Sequence, residues 1–75
     1  MTLSRRDGEL FGGNVVALRR EQGLSRAALA RKADLGLDTL LRLESDKSGC
    51  RLDTLLKVAD ALEVDPAALL KGLRP

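Results

Sequence analysis

Two short helical segments, Arg26 to about Ala33 and Leu37 to about Ser45, stand only three residues apart in this chain. The joint, Asp34-Leu35-Gly36, is too short for an antiparallel hairpin of helices, so it must set them at a steep angle. A joint of that kind holds only if certain positions are apolar or small. Leu29, Ala33, Leu35, Leu40 and Leu43 are the apolar ones, and Ala30 is small where the two helices would approach. The steep pair therefore carries its own packing surface, and the rest of the fold has to be built around it.

The flanking sequence supplies more helices. Leu10, Phe11, Val15 and Leu18 recur at helical spacing and predict a first helix from about Glu9 to Gln22. Gly12 and Gly13 weaken its first turns. Gly23 followed by Leu24 reads as its stop, with glycine in the left-handed position and leucine folding back. Ser25 is a good N-cap for the second helix. After a polar loop from Asp46 to Cys50, a fourth helix is expected over about Arg51 to Leu62, with Leu52, Leu55, Leu56, Ala59 and Leu62 on one stripe. Asp65-Pro66 is a helix start, carboxylate cap then proline in the first turn, and the fifth helix should end at Gly72. Residues 1–8 are polar and lack apolar periodicity, which reads as a flexible N-terminal arm before a domain at 9–75.

Composition agrees with helices throughout. Leu and Ala dominate the apolar residues, Ile is absent, and Phe11 is the one aromatic residue. The expected class is all-α, five helices around one small core. A chain of 75 residues is marginal in stability and gains from pairing with another chain. Cys50 stands alone and histidine is absent, so no intrachain disulfide, cofactor, metal site or catalytic centre is expected. No apolar run is long enough for a membrane and no signal core follows Arg5-Arg6, so a cytoplasmic location is the expectation.

Charge is concentrated in the middle. Residues 19–51 hold eight basic and five acidic side chains, while residues 52–75 hold three and four. A phosphate-facing surface needs such a basic centre, and a merely solvated surface would look the same.

Three stretches then become specific. Gly23-Leu24-Ser25-Arg26-Ala27-Ala28-Leu29-Ala30, Thr39-Leu40-Leu41-Arg42-Leu43-Glu44 and Leu52 to Leu62 resemble the phage repressor and Cro-like (XRE-type) helix-turn-helix family. They are also similar to the small controller proteins of restriction-modification systems. The resemblance runs from Phe11 to Gly72 and implies a five-helix repressor-like DNA-binding domain, with the motif at 26–45, its third helix in the major groove and its second across the backbone. It implies double-stranded DNA as partner and an ion pair between Arg19 and Glu44 that orients the third helix. The small core and the apolar Leu69-Leu70 end after Pro66 point to a homodimer through the fourth and fifth helices, although Leu69, Leu70 and Leu73 could equally close the core.

By position, the implied DNA-facing residues are Arg26, Gly36, Leu37, Asp38, Leu41, Arg42 and Ser45, with Lys47 and Arg51 as phosphate contacts. Arg26 matches a family glutamine that contacts phosphate, and the arginine fork suits the same anion. Arg42 can bond guanine's two major-groove acceptors, Leu37 can touch a thymine methyl, and Asp38 can accept from cytosine. Three departures stand out. Asp34 replaces a frequent glycine in a left-handed turn, Gly36 replaces a Ser or Thr cap, and Leu37 with Leu41 put an apolar pair where polar residues are usual. That pair leaves open a protein partner, as in an antitoxin or a subunit of a larger regulator.

Overall fold

The computed structural model describes residues 2–45 and 50–74. Among the described residues five helices occur in the order α1 (Arg5–Glu21), α2 (Arg26–Lys32), α3 (Leu37–Ser45), α4 (Leu52–Ala61) and α5 (Pro66–Leu69). None of them is long and apolar enough to cross a membrane.

The first helix starts earlier than its apolar periodicity indicates. Ser4 caps it by accepting from the Asp7 amide at 3.2 Å. Asp7 lies in the first turn, where its negative charge suits the exposed amides. Residues 5–8 are thus helical rather than part of an arm, and Asp7 and Gly8 are buried. The Asp7 carboxylate also accepts from the Arg74 amide at 3.4 Å, tying the start of α1 to the end of the chain.

Every helix contributes to one core. Phe11 and Val15 of α1, Leu29 of α2, Leu40 of α3, Leu55 and Val58 of α4, Leu62 after α4, and Leu69 of α5 are fully enclosed or nearly so. Leu70 and Leu73 pack on this cluster as partly buried neighbours, so the apolar end of the chain closes the core. Two polar side chains of α1 brace the far helices. Asn14 donates to the carbonyls of Leu69 and Lys71 at 2.9 and 3.0 Å, and Gln22 donates to the Leu62 carbonyl at 2.6 Å. Both satisfy carbonyls that a helix end leaves without a partner.

The α4 stripe is narrower than its leucines suggest. Leu55, Ala59 and Leu62 face the core, but Leu52 and Leu56 are 62% and 48% exposed. Nothing in the described chain covers that side of α4, so two of the five residues expected inward point outward.

Candidate nucleic-acid interface

The helix pair is set by its caps. Gly23 (φ +70°) ends α1, with its own amide bonded to Arg20 and the Leu24 amide to Arg19. Ser25 then caps α2, its hydroxyl accepting from the Ala28 amide at 3.0 Å. At the other end Asp34 holds φ +56°, the left-handed conformation the turn requires. The Asp34 and Leu35 amides reach back to the carbonyls of Arg31 and Ala30, and half-buried Leu35 folds onto the core. Gly36 then accepts from the Leu40 amide at 3.2 Å, opening α3.

Three elements meet on one carboxylate. Glu44, in the last turn of α3, has a side chain only 4% exposed. Its Oε2 accepts from Arg19 Nε at 2.8 Å and its Oε1 from Arg26 Nε at 2.9 Å. Arg19 is buried as well and donates a further bond to the Leu24 carbonyl at 2.9 Å. Glu44 therefore joins α1, the start of α2 and the end of α3 through charge-assisted bonds. The Arg19 partnership was expected from the resemblance; the Arg26 partnership was not.

Backbone packing reinforces the same joint. A Cβ added at Gly12 would lie 2.8 Å from the Glu44 carbonyl oxygen. Only glycine lets α1 and the end of α3 approach so closely. A glycine inside an otherwise good helix was the signal for this contact in the sequence, and it reads there only as a weakness.

The side of α3 away from Leu40 and Leu43 is open. Leu37, Asp38, Leu41, Arg42 and Ser45 are all exposed, as is Gly36 ahead of them. Arg42 makes no ion pair among the described residues, and neither does exposed Arg31 of α2. Arg26 is half exposed, and its two terminal guanidinium nitrogens make no hydrogen bond within the described chain. The Ser45 hydroxyl donates to the Leu41 carbonyl at 2.7 Å, which leaves its lone pairs for a ligand. Arg51 stands exposed ahead of α4 with Nε 3.2 Å from Asp53, a surface pair too weak to hold it from a phosphate. Lys47 lies outside the described residues. Of the eight central basic residues, Arg19 belongs to the interior and adds nothing to the surface potential. Burial pushes the Cys50 thiol up from its ordinary value, so it is a protonated bystander beside α4.

The family model for the Cro/C1-type helix-turn-helix DNA-binding domain matches residues 15–71, a span that holds α2, the turn and α3. The chain belongs to the Cro/C1-type helix-turn-helix family. Its fold is similar to that of the restriction-modification controller protein C.AhdI from Aeromonas hydrophila. The two superpose with a TM-score of 0.80 at 31% identity, over 85% of this chain and 97% of that one. It is also similar to an HTH_3 family transcriptional regulator from Vibrio cholerae, at a TM-score of 0.80 and 26% identity. That likeness covers 87% of this chain but 36% of the regulator's. No curated protein sequence matches the chain. In the family's terms, α2 and α3 are the helix-turn-helix pair, and Glu44 ties the end of α3 to α1 and to the start of α2.

Proposed function

We propose that this Cro/C1-type domain is a transcription regulator that binds operator DNA sequence-specifically as a homodimer, with α3 in the major groove. The observation that carries the reading is the contrast between the two sides of α3. One side is anchored to α1 and α2 through buried Glu44, and the other presents exposed Arg42, which has no ion pair among the described residues. A rigid mounting with a free basic face is what base reading needs. The solved relatives, a restriction-modification controller and a transcriptional regulator, are consistent with regulation through DNA.

Within this reading Arg42 bonds guanine and Asp38 accepts from cytosine. Arg26 reaches a phosphate with its free terminal nitrogens while Glu44 holds its Nε. Gly36 and Ser45 at the ends of α3 and Arg51 ahead of α4 serve the DNA backbone, as does Lys47 by its place in the sequence. One module offers a small interface, and two-fold pairing doubles it. The exposed Leu52 and Leu56 of α4 are the seam we assign to that pairing, since Leu69 is buried in the core and Leu70 and Leu73 pack against it. A second reading, a protein-interaction module on the same fold, is favoured by Leu37 and Leu41, exposed on α3.

Salt-titrated binding to random and selected duplexes separates the two readings. Affinity should fall steeply with salt. Arg42→Ala should cost about 1–3 kcal/mol on the selected site and relax preference at one base pair. Arg26→Ala should weaken both duplexes alike and reduce the salt slope by about one. Absence of binding at low salt, or equal small effects of the two substitutions, overturns the assignment of α3.

A further inference from the structure

We propose that Leu37 and Leu41 are the specificity-determining pair of this interface, and that the group they take is the C5-methyl of thymine. The proposal rests on the DNA-binding reading above and names the chemistry that reading leaves open.

The two side chains are 44% and 40% exposed and lie one turn apart on α3. The helix does not need them for its core, which Leu40 and Leu43 already fill. An exposed apolar pair is stabilised by any ligand that excludes water from it, so the question is which ligand fits. Charge decides it. Arg42 follows Leu41 directly, half-exposed Arg26 and exposed Arg31 stand on the neighbouring helix, and neither Arg42 nor Arg31 has an ion pair among the described residues; against these three cations the face carries the carboxylate of Asp38. An apolar protein surface laid on the leucines would have to strip water from these guanidinium groups with no anion offered in return. A polyanion supplies the anions, and its major groove carries one apolar group, the thymine methyl.

Spacing agrees. One helical turn advances about 5–6 Å along α3, against about 3.4 Å per nucleotide along a strand. The two leucines therefore fit thymines one or two steps apart, beside the guanine assigned to Arg42. Each methyl buried against leucine should be worth about four-fold in affinity.

The test starts from a duplex pool with a randomised core, from which the wild-type protein selects a site. The site is then remade with deoxyuridine for each thymidine in turn, which removes only the methyl and keeps the base pair. Wild type should bind about four-fold more weakly for each contacted methyl removed, with an unchanged salt slope because the methyl carries no charge. Leu37→Ala and Leu41→Ala should each lose the distinction between thymine and uracil at one position while retaining the slope. Equal binding of thymine and uracil sites by the wild type, with the salt dependence intact, overturns the proposal and leaves DNA binding standing. Retained discrimination in both variants overturns it too. Failure to bind any duplex at low salt removes the DNA-binding reading and this proposal together.

Discussion

Gly12 and Gly13 sit side by side in α1, and the same substitution should act on them with opposite sign. Replacing glycine by alanine inside a helix gains about 0.5–1 kcal/mol from backbone entropy alone. At Gly13 nothing lies within 4 Å of the added Cβ, so Gly13→Ala should keep that gain. At Gly12 the Cβ would meet the Glu44 carbonyl oxygen at 2.8 Å, with the Leu43 carbonyl oxygen at 3.4 Å. The obstacle is backbone, which no rotamer change removes. Helices α1 and α3 must part by roughly half an ångström, and overpacking of that kind costs about 1–3 kcal/mol. The clash outweighs the entropy gain, and Gly12→Ala should be destabilised by about 1 kcal/mol net. Thermal unfolding at one fixed concentration reads the difference, since about 1 kcal/mol moves Tm by roughly 4–8 °C in a domain of this size. Gly13→Ala should melt a few degrees above wild type and Gly12→Ala a few degrees below. Gly12→Ala should also bind DNA more weakly, because the displaced segment carries Glu44 and with it the anchorage of Arg26. Equal stabilisation by both substitutions would refute the claim that the α1–α3 approach depends on Gly12.

Glu44→Gln keeps the shape of the joint but leaves Arg19, buried, without its counter-charge. The loss should be about 3 kcal/mol in urea unfolding, and an unchanged midpoint would refute a buried pair there. Arg19→Met combined with Glu44→Leu should recover much of that stability without restoring DNA affinity, since Arg26 loses its partner as well. Leu52→Asp and Leu56→Asp should each yield a monomer by sedimentation, with operator affinity reduced and helical content unchanged. A dimer that survives both places the seam elsewhere.

Much of the site was legible because its determinants are local. Ser25, Gly23, Asp34 and Asp65-Pro66 act on backbone groups within a few residues, so caps and turns can be read directly. Leu29, Leu40 and Leu43 declare their inward faces by spacing. The early start of α1 was not legible from apolar periodicity, since residues 5–8 are polar, and part of what orders them is Arg74, at the other end of the chain. Leu52 and Leu56 share the helical period of the core residues. A period identifies a face, but how much of that face is covered depends on where the neighbouring helices stop.

Local chemistry thus determined the five helices, the short α2–α3 joint and the family to which the chain belongs, because hydrogen bonds at helix ends and apolar spacing operate over a handful of residues. Long-range packing alone decided that Gly12 is a contact rather than a flaw and that Leu69, with Leu70 and Leu73 packed against it, closes the core. It decided too that Glu44 holds Arg26 as well as Arg19. Those outcomes depend on distances between segments remote in sequence, 18 residues from Arg26 to Glu44 and 25 from Arg19. A carboxylate has two oxygens and can serve both arginines, but only the packed arrangement of α1, α2 and α3 brings both within reach.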